Sequence, residues 1–324
     1  MVETVRGAVE PGELGKALMH EHIFVLSPEF VANYPEHEGF DEAVHVPEAI
    51  AKLRALKEAG IDTIVDPTVI GLGRYLPRVQ KVAAEVDLNI VVATGLYTYN
   101  DLPHYLSLRG PGTLLGGAEP LVELFVGDIT DGIAGTGVKA GVLKCATDEP
   151  GMTPGVERVL RAVAQAHRAT GVPIMTHTHA GTRRGLEQQD VFESEGVDLS
   201  RVQIGHCGDS ADLEYLTAIA DRGSLLGMDR FGIDVYLPFE QRVATVAALC
   251  ERGYARSMVL SHDASCYFDW LEAPTREAVL PHWHYLHITD DVLPALRERG
   301  VSEADLTTML VDNPRRFLDH GGAY

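Results

Sequence analysis

The sequence predicts a (β/α)8 barrel, built as a single domain over residues 1–324. Three observations predict it. Eight short apolar, β-branched runs recur along the 324 residues. Helix-like amphipathic stretches separate them. Polar residues able to bind metals or move protons stand at the C-terminal ends of those runs, which is where barrel enzymes place their chemistry.

The predicted strands are Ala17–Val25, Thr63–Val69, Asn89–Tyr97, Gly141–Thr147, Pro173–His179, Val202–Asp209, Ser224–Arg230 and Met258–Asp263. Their centres are nearly continuous apolar runs, as expected for parallel strands covered on both faces. Four of the intervening stretches carry clear helix punctuation. Val46–Ala59 ends at Gly60, and Thr153–Thr170 opens on Thr-Pro and ends at Gly171. Ser210–Arg222 and Pro238–Arg252 each end at a glycine. These are ordinary cap residues. Strict alternation of strand and helix favours a closed barrel over an open doubly wound sheet.

The strand ends carry the chemistry. The first run contains His20-Glu21-His22 and the fourth Lys144; the fifth ends in Thr176-His177-Thr178, the sixth in Gly205-His206-Cys207 and the eighth in Ser261-His262-Asp263. Residues i and i+2 on a strand face the same side, so His20 and His22 can reach one metal ion. Such a pair alone is a weak signal. His177, His206 and Asp263 at three other strand ends strengthen it, because scattered core histidines would have no reason to collect at one rim. Lys144 is either a structural lysine paired with a carboxylate or an amine that has taken up carbon dioxide. Burial lowers a lysine's pKa. With four histidines and an aspartate at the same rim, the carbamate is favoured, since its two oxygens can bridge two cations.

Together these motifs resemble the amidohydrolase superfamily and, within it, the phosphotriesterase family and its phosphotriesterase-like lactonases. The resemblance runs through nearly the whole chain. It rests on Met19-His20-Glu21-His22, Thr94-Gly95-Leu96-Tyr97, Leu143-Lys144, Thr176-His177-Thr178, Ile204-Gly205-His206, Gly227-Met228-Asp229-Arg230-Phe231 and Leu260-Ser261-His262-Asp263.

The resemblance implies two divalent metal ions (zinc, cobalt, iron or manganese). His20, His22 and Asp263 would hold the more buried ion and His177 and His206 the more exposed one. N6-carboxylated Lys144 and a hydroxide would bridge them. It further implies Tyr97, Arg230 and Trp270 as contacts for a lactone and its acyl chain, with Tyr99 beside Tyr97. Asp209 would relay a proton or orient Arg230. His179 and His262 have no matching role, and His262 is expected to point away from the interior that Asp263 faces. The expected reaction is hydrolysis of N-acyl homoserine lactones by attack of the metal-bridging hydroxide, with Asp263 taking its proton and weaker phosphotriesterase activity as a by-product. Alternatives are a lactonase for other oxo- or sugar lactones, a dedicated phosphotriesterase, or a non-catalytic metal-binding barrel. The resemblance also implies a homodimer.

Composition narrows the partners. The formal net charge is −20, from 47 acidic and 27 basic residues. No basic cluster offers a nucleic-acid surface. The apolar runs are too short to cross a bilayer, and Met1-Val2-Glu3-Thr4 does not open a signal peptide, so a cytoplasmic location is expected. The four cysteines form no CxxC pair. Gly71-Leu72-Gly73 suggests a dinucleotide fingerprint, but the third glycine's place is Leu76.

Overall fold

The structure is a computed structural model, and it describes residues 1–34 and 39–324. Eight parallel strands follow one another around the molecule in chain order. They are β1 (Ala17–Leu18), β2 (Thr63–Asp66), β3 (Asn89–Gly95), β4 (Val142–Ala146), β5 (Ile174–His177), β6 (Val202–Ile204), β7 (Leu225–Met228) and β8 (Met258–Leu260). The seam between β8 and β1 closes just above the strands. There Asp263 N donates to His20 O at 3.0 Å and His22 N to Ala264 O at 2.7 Å. A parallel pair, His22–Val25 with Ser265–Phe268, continues the seam outward. A short hairpin, Val2–Thr4 with Gly7–Val9, precedes the barrel.

Strand alternation divides the core into two layers. Ala17, Val65, Val91, Val142, Met175, Leu225 and Val259 form one buried cluster, which fills the barrel. Their neighbours Leu18, Ile64, Ile90, Leu143, Ile174, Leu226 and Leu260 belong to another, packed against the helices. This parity positions the site. Lys144 stands two residues beyond Val142, and His177 two beyond Met175, so both side chains enter the barrel above its apolar filling.

The helices follow the expected punctuation. Pro154–Thr170 is capped by Thr153 Oγ1, which accepts from Val156 N, and ends at Gly171 in the left-handed region. Glu42–Glu58 starts four residues before the expected Val46, because Asp41 accepts from Ala43 N and supplies the cap. Leu213–Asp221 and Phe239–Glu251 fall inside the other two expected ranges.

The expected strands overshoot at their C-terminal ends. β6 stops at Ile204 rather than Asp209, and β8 at Leu260 rather than Asp263. The first run breaks at Met19-His20-Glu21, so His20 and His22 are not on one continuous strand. The reason is local. His206 and Asp263 adopt left-handed backbone, φ 59° and 56°, which ends ladder pairing. Non-glycine residues held there cost about 1–3 kcal/mol each and recur at functional sites.

Candidate active site

Four imidazoles meet above the barrel filling, and each is held by one ring nitrogen. His20 Nδ1 lies 2.9 Å from Asp229 Oδ2, and His206 Nδ1 lies 3.0 Å from Asp229 Oδ1. His22 Nδ1 meets Thr68 Oγ1 at 2.7 Å, and Thr68 is backed by Asp66. His177 is held the other way round, with Nε2 at 2.6 Å from Asp148 Oδ2. The remaining nitrogens face one another. His206 Nε2 is 2.8 Å from His177 Nδ1, while His20 Nε2 and His22 Nε2 lie 3.2 and 3.1 Å from Asp263 Oδ1. Pinning one nitrogen fixes the tautomer and turns the other lone pair inward, as metal-binding histidines require.

A glycine permits this crowding. A side chain at Gly205 would meet Thr176 O at 2.0 Å. Without one, β6 approaches β5 closely enough to bring His206 onto His177.

The donor set fits divalent metals. Ligand atoms of His20, His22 and Asp263 lie within 4.8 Å of one another. Imidazole and carboxylate together suit zinc, cobalt, iron and manganese. Asp229 is equally close to His20 and His206, but it sits on the Nδ1 side of both rings and therefore orients them. Burial takes the His177 pKa down to about 4 against the opposing pull of Asp148, so the ring is neutral and able to bind a cation. Asp263 is buried, which by itself would raise its pKa. The charge of His20, the hydrogen bond from His22 and the charges of His206 and Arg230 hold it well below the usual carboxylate range.

Lys144 is 1% exposed and touches only His20 Nε2 at 3.4 Å and Thr176 O at 3.2 Å among the described residues. It has no ion-pair partner there, so the structural alternative of a lysine paired with a carboxylate finds no support. Burial lowers its pKa to about 8, more than Asp263 and Asp229 raise it. At neutral pH this leaves more of the amine uncharged than in an exposed lysine, and the uncharged form is the one that reacts with carbon dioxide.

The phosphotriesterase family model matches residues 1–318. The chain belongs to that family. Relatives agree with it along almost their whole length. The phosphotriesterase homology protein of Mycobacterium tuberculosis strain H37Rv is 61% identical over 323 residues, covering 100% of this chain and 99% of the relative. An aryldialkylphosphatase of Saccharolobus solfataricus is 38% identical, covering 97% and 98% respectively. A solved structure of the phosphotriesterase from Mycobacterium tuberculosis superposes with a TM-score of 0.98 at 61% identity, covering 100% of this chain and 99% of that one. The protein is thus a metal-dependent hydrolase on a (β/α)8 barrel, from a family whose members use paired metal ions.

The other expected site residues surround this centre. Tyr97 OH lies 3.3 Å from His177 Nδ1 and shares a hydrogen bond with Tyr99 OH. Arg230 donates from Nε to Asp263 Oδ2 at 2.9 Å and from Nη1 to Asp209 Oδ2 at 3.0 Å. Trp270 stands 48% exposed at the mouth of a cavity of about 300 Å³ that opens above His20, Lys144 and Asp263. His262 turns away from the centre, as expected, to pair with Glu21 and to accept from Ile288 N.

Sequence reasoning missed four residues. Asp229 stands within a quoted motif, but only its position was used. Asp148 follows β4 as a polar strand-end residue and carried the same signal as its neighbours. Arg242 reads as a solvated helix charge, yet it is buried and binds Asp209 Oδ1 at 2.7 Å. Trp283 carries no sequence signal that separates it from the apolar residues around it. Its Nε1 donates to the carbonyls of His262 and Asp263, both at 3.0 Å, and so fastens the loop to the site.

Among the described residues, no helix is long and apolar enough to cross a membrane.

Proposed function

We propose that this chain hydrolyses N-acyl homoserine lactones, with weaker turnover of phosphotriesters. The observation that carries the reading is the cavity. Its floor is polar, formed by the four imidazoles, Lys144 and Asp263, while Leu72, Ile233, Phe268, Trp270, Leu280 and Trp283 make its walls apolar. A small polar ring on an acyl tail matches that division. Tyr97 and Arg230 lie between floor and wall, within reach of the ring.

In this reading His20, His22 and Asp263 would hold one divalent ion and His177 and His206 the other, with Lys144, once carboxylated, as a further ligand. Bound there, the ions would supply Lewis acidity and lower the pKa of a shared water. The chain's own groups do the rest. Tyr97 and Arg230 orient the lactone carbonyl. Asp263 takes the proton of the attacking water and delivers it to the leaving alkoxide. Arg230 and Asp209 hold the Asp263 carboxylate in place as its charge changes. The apolar walls exclude water and hold the acyl tail.

A phosphotriester is the second substrate class, favoured by the aryldialkylphosphatase relative at 38% identity. The test is a comparison of kcat/KM on paraoxon, a simple γ-lactone and acyl homoserine lactones of graded length, using metal-replete enzyme. A long-chain lactone should be preferred. Preference for paraoxon would overturn the reading, and preference for the bare lactone would move it to the other lactonases. We further propose that the protein acts as a homodimer in the cytoplasm.

A further inference from the structure

Glu21 stands between His20 and His22 and has no part in the chemistry described above, yet it is fully buried. Its side chain turns into the seam between β8 and β1, where it accepts four hydrogen bonds. Oε1 accepts from Ser261 Oγ at 2.9 Å, His262 N at 2.9 Å and His262 Nδ1 at 2.6 Å, and Oε2 accepts from Ala264 N at 3.1 Å. The ring is fixed from its far side. Ile288 N donates to His262 Nε2 at 2.9 Å, so Nε2 carries the lone pair and Nδ1 the proton.

These contacts enclose Asp263. The two amides that Glu21 takes belong to the residues immediately before and after it. Asp263 holds φ 56°, a left-handed conformation that a non-glycine residue keeps only where its surroundings over-determine it. One carboxylate spanning both flanking amides supplies that constraint. The same group reaches His20. Asp263 N donates to His20 O at 3.0 Å, and His20 N donates at 2.8 Å to Ser261 Oγ, the hydroxyl that itself donates to Glu21.

We propose that Glu21 is a positioning residue for the metal centre: it holds Asp263 and His20 across the seam so that Asp263 Oδ1 and His20 Nε2, 3.2 Å apart, face one ion together. Glu21 does not line the cavity and acts only through its neighbours. The task needs two acceptor oxygens at the reach of a glutamate. Glutamine keeps the length but turns an NH2 group toward one set of donors, which leaves one flank of Asp263 without its acceptor. The inference rests on the reading that His20 and Asp263 are ligands.

The test is zinc per chain against buffered free zinc, with thermal melting of the zinc-depleted proteins as the check on folding. Glu21→Gln should need about 10- to 100-fold more free zinc than the wild type, the range for partners that orient ligands. Leu216→Ala, a truncation of a fully buried side chain in the helix Leu213–Asp221, is the control for lost stability alone. It should melt lower and bind zinc like the wild type. If Glu21→Gln behaves as Leu216→Ala does, its role is structural only and the proposal is overturned. Ser261→Ala keeps the carboxylate and removes one link, so it should shift zinc binding in the same direction by less. Should Glu21→Gln fail to fold, Ser261→Ala decides, and unchanged zinc binding there overturns the proposal. His20→Ala separates this inference from the reading beneath it. Wild-type zinc binding in His20→Ala would remove both, whereas loss of zinc there but not in Glu21→Gln would remove this inference alone.

Discussion

Arg242 donates from Nη2 to Asp209 Oδ1 at 2.7 Å, and the other oxygen of Asp209 accepts from Arg230. One half-buried carboxylate thus joins a buried helix guanidinium to the arginine that contacts Asp263. Arg242 also donates to the carbonyls of Gly208, Ile233 and Leu237. Its planar fork serves all of them at once, which lysine cannot copy. Arg242→Met should therefore lose about 3 kcal/mol or more of stability, since it leaves three carbonyls without their donor and a half-buried carboxylate with one counterion fewer. Arg242→Lys should recover only part of it. Denaturant unfolding measures both, and a loss below about 0.5 kcal/mol would show Arg242 to be an ordinary surface charge.

Asp209→Asn separates support of the site from support of the fold. It keeps the shape but weakens the hold on Arg230 and, through it, Asp263. The expected result is a fall in kcat of about 10- to 100-fold with metal content unchanged, the range typical of partners that orient ligands. Loss of metal together with activity would place Asp209 in the binding of the ions.

Asp229 makes the opposite prediction. Its two oxygens hold His20 and His206, which this reading assigns to different ions. Asp229→Asn can donate from its nitrogen but cannot accept on both sides. Affinity for both ions should fall by about 10- to 100-fold, measured as enzyme activity against buffered free zinc. Loss of a single ion would show that the carboxylate serves only one ring.

How much of this was legible depends on what a residue's role requires. Lys144 and His177 could be placed because strand parity and a parallel barrel send strand-end side chains to one rim. The tops of the first, sixth and eighth strands were not legible. No residue type announces that His206 and Asp263 will leave the ladder in left-handed backbone. Arg242 was invisible for another reason: its burial comes from the loop 232–238 folding over it, a tertiary event that a helix pattern does not record. Trp283 and Trp270 look alike in sequence, yet one ring hangs from two carbonyls and the other stands half in solvent.

Lys144→Ala removes the group that this reading places between the two ions. It should abolish paired metal binding, and short carboxylic acids such as formate or acetate should restore part of the activity by supplying two oxygens. Lys144→Glu should retain a fraction for the same reason. High-resolution density ending at a bare amine in the metal-loaded enzyme would refute the carbamate.

Gly232 has φ +96°, and a side chain there would meet His282 O at 2.4 Å and Trp283 Cα at 2.9 Å. Both contacts are backbone, so the loop must move rather than a side chain swing aside. Gly232→Ala should raise KM for long-chain substrates and destabilise the fold by about 1–3 kcal/mol. An unchanged KM would mean that the loop at Trp283 does not form the tail's wall.

Trp270 gives the sharpest test of substrate choice. Chemistry at the floor needs only the lactone ring, so selectivity must come from whatever holds the acyl chain. The Trp270 ring packs on Phe268 at 5.1 Å, and Phe268 in turn meets Trp283 at 5.4 Å, which makes a continuous aromatic wall. Trp283 is fastened to the backbone beside Asp263, whereas Trp270 is 48% exposed and has apolar surface left for a ligand to cover. Each methylene buried there contributes about 0.8 kcal/mol. Two added carbons then raise affinity by roughly an order of magnitude, until the wall ends. Trp270→Ala should accordingly flatten the dependence of kcat/KM on chain length, costing long-chain lactones more than short ones. Trp283→Ala should instead depress every chain length together, because it releases the loop from the site. If Trp270→Ala behaves like Trp283→Ala, with equal losses at all lengths, then Trp270 supports the ring or the fold, and the tail lies elsewhere.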